Sequence, residues 1–159
     1  MNFLLLILII ILIYIFLVFV IPLLFFPGFL RDIRIKKSKL LENFSEKFKD
    51  RNKEKTMRNI FDYVSKRYEK SEKLEIFFLL KKHFDYDVEN ILSKKGYLPC
   101  HIQNLLVKTL LVNTEQFKEE EFETKISITL WGTIHAHMII KIGNKKFKVD
   151  PYYGILNET

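Results

Sequence analysis

The pattern of hydrophobic and polar residues begins with a long apolar segment. Phe3 to Ile21 is an unbroken apolar run, and uncharged residues continue to Leu30. About 20 consecutive apolar residues are enough for a helix that crosses a membrane. A cleaved signal peptide fits less well, because no basic residue precedes the run and no small-residue cleavage site follows it. The pattern therefore predicts a retained transmembrane anchor over residues 1–30.

The segment after this start carries apolar residues at helical spacing within a strongly charged background. These positions are Leu40, Leu41, Phe44 and Phe48, and then Met57, Ile60, Phe61, Val64 and Tyr68. They predict two amphipathic helices, because residues three and four apart lie on one face of a helix. A buried helix is predicted over Leu74 to Phe84, and a short helix after Asp85 or Asp87. We divide the remaining chain into a basic helical linker (31–56) and a folded domain (57–159).

The last third of the chain changes from helical periodicity to strand alternation. Cys100 to Val112 has an apolar stripe at helical spacing, and Pro99 suits a helix start. After the polar residues 113–121, apolar and polar residues alternate, and Gly143-Asn144 is typical of a two-residue hairpin turn. The pattern predicts an α+β fold, in which a Cys-bearing helix packs on a small antiparallel sheet.

The predicted hairpin determines which side chains share a face of the sheet. With its turn in place, Met138 pairs with Val149, and His137 pairs with Asp150. His135 then lies diagonally from Asp150 on the same face, within side-chain reach. One face of the hairpin is therefore apolar, and the other gathers two imidazoles and a carboxylate.

The charged residues all follow Leu30, so the rest of the chain carries the whole net charge of +7. A basic cluster comes directly after the apolar run and consists of Arg31, Arg34, Lys36, Lys37 and Lys39. Such a cluster beside a membrane span is retained in the cytoplasm, and it is expected to contact anionic lipid headgroups. No aromatic residues interleave the cluster, so nucleic acid is not expected as a partner. These features predict a single-pass membrane protein with a cytoplasmic domain.

The single cysteine, Cys100, is the main candidate for chemistry. One cysteine excludes an internal disulfide framework. Its expected place in the first turn of a helix favours the thiolate, because the helix N-terminus stabilises an anion and lowers a thiol pKa. A small buried hydrophobic residue is the alternative interpretation. Cys100, a histidine and Asp150 in this order can supply a nucleophile, its base and the group that orients the base.

These residues resemble the transglutaminase-like superfamily of papain-like cysteine enzymes. That resemblance implies a nucleophilic Cys100 at the start of a helix, a base that opens a strand, and an Asp150 that ends the next strand. When the chain is aligned with the family's His-Ala-Trp-like motif, His135 is the base and His137 replaces the usual Trp. Strand pairing alone instead favours His137 as the partner of Asp150. The matching segments are Gly96 to Cys100, His135-Ala136-His137, the turn at Gly143-Asn144, and Phe147 to Pro151.

The resemblance implies acyl transfer to, or hydrolysis of, a peptide or protein substrate through a thioester, with Cys100, His135 and Asp150 as the triad. Neither a cofactor nor a metal ion is required for this chemistry. Two alternatives remain open. One is a catalytically inactive binding module on the same fold. The other is a zinc-binding domain, because Cys100, both strand histidines and Asp150 are all plausible zinc ligands, and His101 is adjacent to Cys100.

Overall fold

A computed structural model of the chain describes residues 3–21, 24, 33–70, 84–129 and 134–159. The described helices are α1 (Phe3–Ile15), α2 (Lys39–Ser45), α3 (Lys53–Arg67), α4 (Val88–Ser93) and α5 (Cys100–Asn113). The described strands are β1 (Tyr68–Glu69), β2 (Gly96–Tyr97), β3 (Phe122–Ile128), β4 (Ile134–Ile142), β5 (Lys145–Asp150) and β6 (Ile155–Glu158). Strands β3 to β6 form a four-stranded sheet in sequence order, with antiparallel neighbours. The α+β part of the predicted fold class is confirmed.

The predicted transmembrane helix within residues 1–30 is wrong, and so is the predicted single-pass membrane localisation. Helix α1 contains 13 residues, and Phe16–Val20 continues as a π-helical segment. At 1.5 Å per residue α1 is about 20 Å long, whereas the hydrocarbon core of a bilayer is about 30 Å thick. Within the described ranges, no helix is both long enough and apolar enough to cross a membrane. Hydropathy alone did not reveal where the regular α-helix ends.

Helices α2 and α3 pack against α5, and α5 packs against strand β4 of the sheet. Helix α3 buries Met57, Ile60 and Val64, as its helical spacing predicts. Helix α5 is the centre of the molecule, since every residue that follows Cys100 in it is buried. Leu41 of α2 belongs to the same core. The division into a linker (31–56) and a domain (57–159) remains a prediction.

The segment before α2 is joined to α4 by charge. The Lys36 ammonium lies 3.4 Å from Asp87 and 3.0 Å from Glu89. Asp87 also caps α4, because its carboxylate accepts a hydrogen bond from the backbone N–H of Glu89. The short helix predicted after Asp85 or Asp87 is therefore confirmed. Most of the helix predicted over Leu74 to Phe84 lies outside the described residues.

The sheet forms with the predicted hairpin register. Met138 pairs with Val149 across β4 and β5, and the turn residue Gly143 has a positive φ of 58°. Ala136, Met138 and Val149 are buried on the face that packs against α5. Since neighbouring residues on a strand point to opposite faces, the strand histidines and Asp150 belong to the other face.

Candidate active site

Cys100 is the first residue of α5, as the sequence predicts. The carbonyl oxygen of Pro99 begins the helix by accepting hydrogen bonds from the N–H groups of Ile102 (3.1 Å) and Gln103 (2.9 Å). Pro99 provides no side-chain cap. The N-terminal N–H groups of a helix lack partners within the helix, so Cys100 lies at an end of positive potential.

The segment that leads into Cys100, residues 96–99, is held by a two-stranded parallel sheet. Strand β2 pairs in parallel with β1, and this places Gly96 beside Tyr68. The backbone N–H of Leu98 donates to the carbonyl of Glu69 over 3.3 Å. Gly96 has a φ of +88°, a conformation that favours glycine. The end of α3 therefore fixes the chain that leads into the cysteine.

His135 and Asp150 form a buried pair on the neighbouring strands. His135 Nε2 lies 2.7 Å from Asp150 Oδ2, and only 7% and 2% of the two side chains are exposed. The second oxygen, Oδ1, accepts a hydrogen bond from the backbone N–H of Tyr153 over 3.2 Å. Because a carboxylate accepts hydrogen bonds, Nε2 carries the proton in the neutral imidazole. Nδ1 is then the nitrogen available to a thiol.

His137 is not the partner of Asp150. Its ring lies 6.4 Å from the ring of His135 in a stacked arrangement. Its Nδ1 is buried and has no hydrogen-bond partner within the described part of the chain. Burial lowers the pKa of His137, and the charge of Lys148 lowers it further. The described β4–β5 pairs extend only to Met138 and Val149, so the Asp150 carboxylate is free to reach diagonally to His135.

Cys100 and His135 shift each other's ionisation. Burial raises the pKa of Cys100, but hydrogen bonds with His101 and His135 outweigh this effect and lower the pKa to about 6. Burial lowers the pKa of His135, but hydrogen bonds with Asp150 and Cys100 outweigh it and raise the pKa to about 9. Between these values the thiolate and the imidazolium coexist. His101 was considered from sequence only as the neighbour of Cys100, and its adjacency was the available signal.

Two buried amides connect the start of α5 to its surroundings. Asn104 Nδ2 donates to the carbonyl oxygen of Ala136 over 2.9 Å, one residue from His135. Gln103 Nε2 donates to the carbonyl oxygen of Leu98 over 2.8 Å. Sequence reasoning missed both, although two adjacent amides before the apolar run of Leu105 to Val107 were a readable signal. These contacts hold Cys100 relative to both the sheet and the approach segment.

Two tyrosines after β5 cover the imidazole. The ring of Tyr153 packs edge-on against His135 at 4.6 Å between centroids, and the ring of Tyr152 lies at 5.7 Å. Burial raises the pKa of Tyr153, and the negative charges of Asp150 and Cys100 raise it further. Their rings limit the access of water to the His135–Asp150 pair.

The zinc alternative requires a group of ligand side chains that lie close together. Within residues 3–21, 24, 33–70, 84–129 and 134–159, no group of three or more His, Cys, Asp or Glu side chains is arranged to hold a metal ion. Asp150 is instead hydrogen bonded to His135 and to the backbone of Tyr153. The arrangement is therefore suited to moving a proton between Cys100 and His135.

Comparisons with known proteins reveal only a distant structural likeness. No family model and no curated protein matches the chain. LapG from Legionella pneumophila, a transglutaminase-like cysteine protease, is similar at 9% identity and a TM-score of 0.40, over 79% of this chain and 78% of LapG. An EGTA-treated LapG structure matches at 10% identity and a TM-score of 0.41, over 80% and 77% of the two chains. At these scores the likeness assigns neither a family nor an activity to this chain.

Proposed function

We propose that this protein is a cysteine-dependent acyl hydrolase or acyltransferase that acts on a peptide or amide carbonyl. The observation that carries this proposal is the buried His135–Asp150 pair beside the thiol of Cys100. A thiol of low pKa next to an imidazole held by a carboxylate is the arrangement required for nucleophilic catalysis by cysteine. A purely structural cysteine would gain nothing from such neighbours.

The first half of the reaction forms a thioester. The Cys100 thiolate attacks the carbonyl carbon, a C–S bond forms, and the carbonyl electron pair moves to oxygen. The backbone N–H of Cys100, at the helix start, can donate to this oxyanion. As the C–N bond breaks, the protonated Nδ1 of His135 gives its proton to the departing amine.

The second half releases the acyl group. Water, or an amine acceptor, attacks the thioester while neutral His135 takes its proton. The C–S bond then breaks and restores the thiolate beside an imidazolium. Asp150 orients the ring and stabilises its positive charge in both halves of the cycle. Hydrolysis and transfer share every step except the identity of the attacking group.

The pH dependence of Cys100 alkylation tests the proposed ion pair. We expect iodoacetamide to react with wild type along a curve whose midpoint is near pH 6, because the thiolate is the reacting form. His135→Ala should move the midpoint upward, whereas the matched variant His137→Ala should move it little. An ordinary thiol titration in wild type would contradict the proposal and indicate the inactive binding module.

Trapping of the acyl-enzyme tests the chemistry itself. Mass spectrometry of the protein mixed with an activated ester should detect a single acyl adduct on Cys100, and Cys100→Ala should remove it. Circular dichroism should show the same fold for both proteins. An adduct that persists in Cys100→Ala would exclude this cysteine as the nucleophile.

A further inference from the structure

The face of the sheet opposite the core is rich in lysine. The strand register puts Glu123 and Lys125 of β3, Ile139 and Lys141 of β4, and Lys146 and Lys148 of β5 on this face, together with His135, His137 and Asp150. We call its four lysines, Lys125, Lys141, Lys146 and Lys148, the lysine face. Lys148 is half-buried and the other three are exposed.

The positive charge of the lysine face is largely unneutralised. Lys141 and Lys146 are directly opposite each other in the register, and like charges in that position destabilise a sheet. Lys125 forms an ion pair with Glu123. In the part of the chain that the structure describes, the other three lysines have no carboxylate within ion-pair distance. This face therefore carries a charge that folding does not require.

The lysine face is continuous with the candidate active site. On β5, Lys148 and Lys146 precede Asp150 by two and four residues on the same side of the strand. At 3.3–3.4 Å per residue these positions lie roughly 7 and 13 Å from Asp150 along the strand. The positive potential also reaches the site, because Lys148 and Lys125 both help burial to lower the pKa of His137.

We propose that the lysine face binds an acidic segment of the polypeptide on which Cys100 acts. This inference rests on the proposed function and adds its substrate class. An extended peptide advances 3.3–3.6 Å per residue, so a segment alongside β5 would match its lysines with acidic side chains about two and four residues from the reactive position. Nucleic acid fits less well, because none of the described strand residues on this face is a Phe, Tyr or Trp on which bases could stack. The two tyrosines at its end pack on the His135 imidazole.

Peptide binding to the full-length Cys100→Ala variant tests this inference. Two fluorescein-labelled peptides serve as probes. The glutamate peptide has a central glutamine and a glutamate at the second and the fourth position on each side of it. The control peptide has glutamine in place of each glutamate. We expect fluorescence anisotropy to show at least tenfold tighter binding of the glutamate peptide at low ionic strength. Added salt should weaken that binding, since exposed charges are screened.

Matched lysine variants locate the binding surface. The face variant replaces Lys141, Lys146 and Lys148 with Gln. The control variant replaces three exposed lysines elsewhere, Lys47, Lys66 and Lys95, with Gln. Both lose the same net charge, but we expect about a tenfold loss of affinity for the glutamate peptide only in the face variant, because its lost ion pairs are local. The unfolding midpoint should be unchanged or higher in the face variant, since like-charge repulsion is removed.

Several outcomes would overturn the inference. Equal binding of the two peptides would do so, as would an equal loss of affinity in the two lysine variants. A single-stranded oligonucleotide that binds the lysine face while the glutamate peptide does not would reassign the surface to nucleic acid. Because the binding protein lacks the thiol, peptide binding is independent of the chemistry. Cys100 alkylation is measured without peptide. Failure of the proposed chemistry is therefore distinguished from failure of the proposed peptide binding.

Discussion

Asp150 uses both of its carboxylate oxygens inside the site. One oxygen holds His135, and the other accepts the backbone N–H of Tyr153. The turn after β5 therefore fixes the carboxylate, and the carboxylate fixes the imidazole. Through its backbone N–H, Tyr153 thus influences the orientation of the base.

Asp150→Asn should weaken the ion pair while it preserves the shape of the side chain. Loss of the carboxylate charge lowers the pKa of His135, and the weaker imidazolium then raises the pKa of Cys100. We expect the alkylation midpoint to rise by about one pH unit and acylation to slow by about 100-fold. Asp62→Asn, on an exposed position of α3, serves as the control. An unchanged midpoint would show that Asp150 does not support the charge of His135.

His101→Ala should change the ionisation of Cys100 without removing turnover. His101 is buried and its hydrogen bond lowers the pKa of the thiol, so its loss should move the alkylation midpoint upward. Acyl-enzyme formation should persist, because His135 still moves the proton. Alkylation rates across pH 5–10 and acyl trapping at saturating thiolate give the two readouts. Loss of trapping at a pH where the thiol is fully ionised would contradict this division of roles.

The site depends on how α5 docks onto β4. The amide of Asn104 bridges the two elements by binding the carbonyl of Ala136. Since α5 carries Cys100 and β4 carries His135, this hydrogen bond sets the relative position of the two reacting side chains. The bond is buried, so either partner is costly to leave alone.

Asn104→Leu should destabilise the protein and loosen the ion pair together. Leucine is close in size but cannot donate to the Ala136 carbonyl, so the free energy of unfolding should fall by about 1–3 kcal/mol. The alkylation midpoint of Cys100 should also rise, because His135 is held less firmly. Urea unfolding and alkylation measure the two effects. Asn90→Leu, on the exposed side of α4, should cause neither change.

Removal of residues 1–15, which include all of α1, should leave the folded domain almost as stable as before. No residue of α1 is buried, so we expect the free energy of unfolding to change by no more than about 0.5 kcal/mol. Leu41→Ala provides the contrast, because Leu41 is fully buried in the core and its truncation should cost about 2–5 kcal/mol. A large loss of stability in the shortened protein, measured by urea unfolding, would reveal packing between this segment and the domain.

The elements could be predicted from sequence more fully than their contacts could. Alternation identified the β4–β5 hairpin because the hairpin buries one face against the core. The apolar stripe identified α5, although every residue after Cys100 is in fact buried. Neither pattern could show that Asn104 reaches Ala136, since that contact depends on how a helix and a strand meet in space. Strand pairing also favoured His137 as the partner of Asp150. Counting residue pairs along β4 and β5 identifies directly opposite residues, and it does not include the diagonal reach of a side chain. Helix α1 ends at Ile15, and the hydropathy pattern showed no sign of an end at that residue.

The ion pair of Cys100 and His135 has little effect on how the stability of the protein depends on pH. The lowered pKa of Cys100 gives a stabilisation that is lost as the pH falls through about 6. The raised pKa of His135 gives one that is lost as the pH rises through about 9. Between about pH 6.5 and 8.5 the pair holds one proton in both states, on His135 when folded and on Cys100 when unfolded. The opposite contributions of the two residues to the pH dependence of the free energy of unfolding therefore cancel.

The double variant Cys100→Ala/His135→Ala should therefore differ from wild type by a constant amount across this range. We expect the difference in the free energy of unfolding at pH 6.5 to equal that at pH 8.5 within about 0.5 kcal/mol. Urea unfolding at several pH values provides the measurement. A difference that grows steadily with pH would mean that only one of the two groups has a shifted pKa.

The central position of α5 also makes Cys100 a natural probe of conformational opening. The cysteine and His135 lie on elements that meet only when the helix is docked on the sheet. A molecule in which α5 has separated from β4 exposes a thiol of ordinary pKa, which reacts slowly with iodoacetamide near neutral pH. Fraying of the edge strand β6 leaves the helix–sheet contact in place and the reaction fast. One chemical reaction thus distinguishes local from global opening without an added label.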